Sequence, residues 1–229
     1  MDFSIFERAI GVSFKSKSLL KQAFTHRSYI NEHKNSGLEH NERLEFLGDA
    51  VLELIVTEYL YEKYPNQNEG DMTSYRSALV NSNTLSKVAS GLNMNDYILL
   101  SHGEAKDVGR ARHYILADAF EALVGSLFID QGYGVVRDFV AKNVFNLADE
   151  IVNKGLWVDS KSLFQEHAQE KEGVTPAYYT LKEEGPDHDK SFTVGVYLGD
   201  KKVAEGVGKS KQDAEQEAAK GGLKEMKWN

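Results

Sequence analysis

The chain has 229 residues, 41% of them hydrophobic and 27% charged, which is enough apolar sequence for one or two globular domains. No cysteine is present, so disulfides and thiolate metal sites are excluded and a reducing, cytoplasmic location is expected. The net charge is −8, with 16 Lys+Arg against 21 Asp+Glu in residues 1–157 and 11 against 14 in residues 158–229. Bulk charge therefore argues against a nucleic-acid partner, and any such role must rest on local basic clusters or on cations that neutralise acids. No apolar run approaches the length of a membrane span, and Met1-Asp2-Phe3-Ser4 does not open a secretory signal.

In chain order, short helices are expected near 3–10 and 16–24, then longer ones at about 41–64, 73–90, 113–131 and 134–152. Pro65 stops the helix before it. Asn153-Lys154-Gly155 reads as a helix end and short linker, giving an all-α domain over 1–153. After Trp157 the texture changes. A helix is expected over 160–172, then strands at Ala177–Glu184, Ser191–Leu198 and about 202–207, and a last helix over about 211–226. Phe192, Val194, Val196 and Leu198 alternate with Thr193, Gly195 and Tyr197, as in a half-buried strand. Ser210 and Asp213 resemble a capping box. The expected architecture is thus multidomain: an all-α domain, then an α+β (α-β-β-β-α) module over 158–229.

The chemistry begins in the helix at Asn41–Leu52. It is apolar on most sides, yet Glu42, Glu45, Asp49 and Glu53 recur at spacings of three and four. Glu45 and Asp49 lie about 40° apart on the helix and point the same way. From Tyr114 to Ile129 the only charges are Asp118 and Glu121, three apart on one face. Burying unpaired carboxylates is costly, so something must compensate. Pairing with Arg43, Arg110 or Arg112 would do so and leave an ordinary solvated face. Two such pairs, each the polar exception in an apolar helix, favour a hard divalent cation such as Mg²⁺ or Mn²⁺, able to activate water and stabilise a phosphoryl oxygen. Gly48 costs about 1 kcal/mol relative to alanine in mid-helix, which suits a close backbone approach to another helix. No Ser/His/Asp set stands out. His26, His102 and His113 read as structural or surface residues, and Lys106, Arg110 and Arg112 as either phosphate contacts or a solvated basic loop.

Asn41–Leu52, NERLEFLGDAVL, resembles the signature motif of the ribonuclease III family. Thr25–Tyr29, Glu69–Thr73 and Ala117–Ala122 match in order, so the resemblance covers essentially the whole chain. It implies a homodimeric, Mg²⁺-dependent endoribonuclease (Mn²⁺ substituting) that hydrolyses both strands of double-stranded RNA. The expected products carry 5′-phosphate and 3′-hydroxyl ends with short 3′ overhangs, and the expected substrates include ribosomal and other structured precursors. Glu45, Asp49, Asp118 and Glu121 match the metal ligands, with Asp49 and Glu121 catalytic. Glu42 and Glu69 match supporting cleft acids, and Phe46 an aromatic side chain that inserts into the partner subunit.

Residues 158–226 resemble a double-stranded RNA-binding domain, with Gly185-Pro186-Asp187-His188 matching the loop between the first two strands. Lys209 and Lys211 stand at a helix N-terminus, where free N–H groups and the helix dipole favour phosphate. Gln165, Glu166, Gln169 and His188 are of the right type for the shallow minor groove of A-form RNA. Lys211-Gln212 departs from the family's two adjacent lysines, which removes one expected phosphate contact. Two rival readings are a non-cleaving duplex-binding regulator and a metal enzyme acting on another phosphoester. The four acids speak against the first and the C-terminal module against the second.

Overall fold

A computed structural model describes residues 2–106, 109–155, 157, 159–186 and 190–228, with the Arg110 side chain outside the description. The chain divides into two compact units, residues 1–157 and 158–229. The first is helical: α1 Ser4–Ile10, α2 Lys17–Ala23, α3 Arg27–Glu32, α4 Glu42–Lys63, α5 Glu69–Val80, α6 Ser82–Gly91, α7 His102–Lys106, α8 Arg110–Gln131, α9 Tyr133–Asn143 and α10 Ala148–Asn153. Its centre is the α4–α8 pair. Leu44, Leu52, Ile55, Val56 and Leu60 from α4 are buried with Phe120, Leu123, Val124 and Leu127 from α8. The expected Gly48 contact is present: a Cβ there would lie 1.7 Å from the Glu121 carbonyl oxygen. Gly125 mirrors it, since its Cβ would lie 2.2 Å from the Leu44 carbonyl oxygen. The two backbones therefore touch where they cross.

Local chemistry fixes the ends. Tyr64, held out of helical conformation before Pro65, follows the last residue of α4. The Asp130 carboxylate accepts from the backbone N–H groups of Lys15 and Ser16, both at 2.8 Å, which ties the end of α8 to the start of α2. Two expected helices are broken. The one expected over about 73–90 is α5 and α6, because Asn81 is extended (φ −70°, ψ 159°) and its side chain caps α6 by accepting from Thr84 N–H. The one expected over about 134–152 is α9, a 3₁₀ turn at Phe145–Leu147, and α10. Two short helices, α3 and α7, were not expected; α3 is started by the His26 ring, which accepts from Ser28 N–H. No helix among the described residues is long and apolar enough to cross a membrane.

The second unit runs α11 Ser160–Glu172, β1 Ala177–Glu184, β2 Ser191–Leu198, β3 Lys201–Gly208 and α12 Lys211–Met226, with an antiparallel sheet in the order β1-β2-β3. Phe164 and Ala168 of α11, Val196 of β2, Ala218, Ala219 and Leu223 of α12, and Trp228 form its core. Helix α12 lies flush on β3. A Cβ on Gly206 would sit 2.1 Å from Ala218 N, and one on Gly208 2.4 Å from Ala214 N. Ser210 caps α12 by accepting from Asp213 N–H at 3.1 Å and donates its hydroxyl to the Asp213 carboxylate at 2.7 Å.

Candidate metal centre and RNA-binding surface

The α4–α8 crossing sets the acids of one helix against those of the other. Glu45, Asp118 and Glu121 each offer a carboxylate oxygen, and these oxygens all lie within 4.8 Å of one another. All three residues are half-buried. Among the described residues, no Lys, Arg or His stands within ion-pairing distance of any of them or of Asp49. Arg112 instead donates to the Glu104 and Ala105 carbonyls at 2.9 and 3.3 Å. Burial first, then the charges of Asp118, Glu42 and Asp49, pushes Glu45 up to about 7. Burial, then Asp49, Asp118, Glu45 and Glu53, pushes Glu121 up to about 8. Burial also raises Asp118. Acids with no basic partner among the described side chains, and with oxygen donors alone, are the donor set that a hard divalent cation requires.

The other expected acids are placed differently. Asp49 is exposed on α4 and stands outside the trio, near enough that its charge raises both Glu45 and Glu121. The Glu42 carboxylate pairs with the Arg27 guanidinium at 3.2 Å and faces the His40 ring at 3.7 Å. Glu69 is exposed at the start of α5, accepts the Thr73 hydroxyl at 3.2 Å and is not in the trio. Phe46 is 82% exposed. Three contributors escaped sequence reasoning. Gly125 carried the same mid-helix signal as Gly48. Glu53 was visible in the acidic stripe, but its effect on Glu121 was not. Arg27 gave no sign of its distant partner Glu42.

A ribonuclease-III-like model matches residues 16–147, more than half of the chain. The chain belongs to the ribonuclease III family. A double-stranded RNA binding motif matches residues 160–226. Ribonuclease 3 of Geobacillus thermodenitrificans is 44% identical over 98% of this chain and 91% of its own length. Ribonuclease 3 of Staphylococcus epidermidis is 46% identical over 96% of this chain and 89% of its own. The solved nuclease domain of ribonuclease III from Campylobacter jejuni is 40% identical and covers 62% of this chain and 98% of that one, with a TM-score of 0.56. As a ribonuclease III this chain is an endoribonuclease carrying a double-stranded-RNA-binding module, and the trio of acids lies within its nuclease unit.

In that module, Gln165, Glu166 and Gln169 are exposed on α11 and line a shallow surface depression with Ser162 and Glu170. Lys209 and Lys211 are exposed beside the start of α12. The Lys211 ammonium pairs with Glu183 at 2.8 Å and lies over the Phe192 ring, 5.6 Å from its centre. His188 lies outside the described residues.

Proposed function

We propose that this ribonuclease III cuts both strands of double-stranded RNA with a divalent cation, physiologically Mg²⁺, with Mn²⁺ able to substitute. The meeting of Glu45, Asp118 and Glu121 across two apolar helices, with no cation among the described side chains to balance them, carries this reading. Glu45, Asp118 and Glu121 would hold the ion, joined by Asp49 when the exposed carboxylate swings in; Asp49 and Glu121 are the catalytic pair. A bound divalent ion would supply an activated water and neutralise charge developing on the phosphoryl oxygen. The protein's own part is to keep these carboxyls poised. At neutral pH, Glu121 and in part Glu45 retain protons until a positive charge displaces them. Glu42, steadied by Arg27, and Glu69 support the negative field of the cleft. The products would carry 5′-phosphate and 3′-hydroxyl ends with short 3′ overhangs, and structured precursors such as ribosomal RNA are the expected cytoplasmic substrates.

The working form is a homodimer. Phe46, Ala50, Leu54, Thr57 and Tyr61 are all exposed on α4 and fall within about 80° of one another around the helix. Leu54 is 57% and Tyr61 73% exposed, so a long apolar strip runs beside the acidic stripe. The related Campylobacter nuclease domain is described as having a region involved in dimer formation. Duplex RNA would meet Gln165, Glu166 and Gln169 through its minor groove and Lys209 and Lys211 through its phosphates, with His188 completing the set.

The test is a labelled duplex incubated with Mg²⁺, with Mn²⁺ and with chelator. Both strands should be cut in either metal and neither in chelator. Glu121→Gln should bind the duplex and lose most cleavage. Single strands cut as fast as duplex, or normal cutting by Glu121→Gln, would overturn the assignment.

A further inference from the structure

We propose that Glu183 is a positioning residue for RNA recognition: its carboxylate holds Lys211, at the start of α12, in the place where a duplex phosphate is met. The inference rests on the reading of Lys211 as a phosphate contact.

The arrangement follows from strand register. Glu183 pairs across the sheet with Phe192, and Phe192 pairs with Gly208, so the three share one rung. Gly208 lets the first turn of α12 lie directly against the end of β3, because a Cβ there would meet Ala214 N at 2.4 Å and Asp213 Cβ at 2.7 Å. The first residue of α12 is thereby folded back over the rung. Lys211 comes to lie over the Phe192 ring, with its ammonium donating to Glu183 at 2.8 Å. The other Glu183 oxygen faces the Lys190 ammonium at 3.7 Å, where the chain re-enters the sheet before β2. One carboxylate thus ties the exit of the β1–β2 loop to the N-terminus of α12. These two lysines, in turn, hold Glu183 below the usual carboxylate range.

A carboxylate beside a phosphate contact could act in two opposite ways. It could repel the RNA, or it could spare the lysine its loss of freedom on binding. Both partners are substantially exposed, 56% for Lys211 and 37% for Glu183, so water and salt screen the repulsion. An ammonium has three protons and needs one for Glu183, which leaves two for phosphate. Immobilising a long side chain is a real cost of association, and here part of that cost is met before RNA arrives. Positioning therefore wins over repulsion. The predicted sign is the reverse of simple charge counting: removing this negative charge weakens binding to a polyanion.

The experiment measures binding of the full chain to a labelled RNA duplex of about 20 base pairs, long enough for one such module. Chelator prevents cutting, and the salt concentration is varied. Glu183→Ala should bind about two- to tenfold more weakly, the cost of ordering one long side chain. Its salt slope and melting temperature should match those of the unaltered chain. Lys211→Ala should bind more weakly and lose about one unit of salt slope. The double variant should bind no more weakly than Lys211→Ala alone. In Mg²⁺, Glu183→Ala should raise KM and leave kcat unchanged. Equal or tighter binding by Glu183→Ala would overturn the inference, as would an undiminished effect in the Lys211→Ala background. Should Lys211→Ala bind like the unaltered chain, the phosphate-contact reading itself fails, and the inference with it.

Discussion

Glu121 and Glu45 are costly residues for the metal-free protein. An unfolded glutamate loses its proton near pH 4.5, whereas the folded chain holds that of Glu45 up to about 7 and that of Glu121 up to about 8. Between those limits the folded state binds more protons than the unfolded state. Stability in chelator must therefore fall as pH rises through that window. This is the reverse of the paired-carboxylate case, in which acid destabilises. Glu121→Gln removes the larger of the two shifts. In chelator it should melt higher than the unaltered chain at about pH 9, and the difference should shrink towards about pH 6. A divalent ion favours the ionised forms, so the rise in Tm on adding Mn²⁺ should be greater at the higher pH. Thermal melts at the two pH values, with and without metal, check both statements. A lower Tm for Glu121→Gln at high pH in chelator would show that Glu121 is stabilising, contrary to its burial among like charges.

At the scale of elements, the site is a by-product of how α4 and α8 cross. Acids at i and i+4 on one helix, or i and i+3 on the other, could be recognised from spacing alone. That the two pairs face each other could be only partly foreseen. Gly48 and Gly125 each signalled a backbone approach, but they lie 77 positions apart and neither marks the other as its partner. The long helices were legible because each runs for several turns of apolar repeat; α11 begins and ends where its pattern does. The break at Asn81 was not, since apolar periodicity continues through it; the interruption is an extended Asn81, whose side chain accepts from Thr84 N–H to start α6. Helix α3 is too short for periodicity to register. Asp49 shows a different limit: helical spacing gives the direction of a side chain but not how far the partner helix reaches to meet it. The crossing itself can be tested. In Gly125→Ala the new methyl would meet the Leu44 carbonyl oxygen at 2.2 Å, a backbone atom that cannot swing aside. The helices must part, at a cost of about 1–3 kcal/mol of overpacking. Because Glu45 lies on one helix and Asp118 and Glu121 on the other, the metal site should open as well. Calorimetry should show a lower Tm, and titration at a temperature well below that Tm should show weaker Mn²⁺ binding. Unchanged Mn²⁺ affinity would mean that the carboxylates, rather than the crossing, determine the fit.

At the scale of the whole molecule, the puzzle set by composition is how a chain of net charge −8 engages RNA. The acids of the nuclease unit answer one part, being the groups that a cation would neutralise, and the lysines beside α12 answer the other. The strip on α4 bears on assembly. A phenylalanine 82% exposed beside the acidic stripe of α4 has no folding role in the single chain, so its removal should leave the fold intact. In the two-fold dimer proposed above the same contact would occur twice, Phe46 of each protomer entering the other. Burying one such ring is worth about 1.5–3 kcal/mol, so two are worth about 3–6 kcal/mol, or roughly two to four orders of magnitude in the dimer dissociation constant. Phe46→Ala should accordingly shift sedimentation towards monomer at concentrations where the unaltered chain is dimeric, while the melting curve of the monomer keeps its cooperative shape. Cleavage should fall with the dimer fraction and recover as protein concentration is raised, since the acids are untouched. A Phe46→Ala chain that sediments as a dimer at the same concentrations would remove Phe46 from the interface and leave its exposure to be explained by contact with RNA.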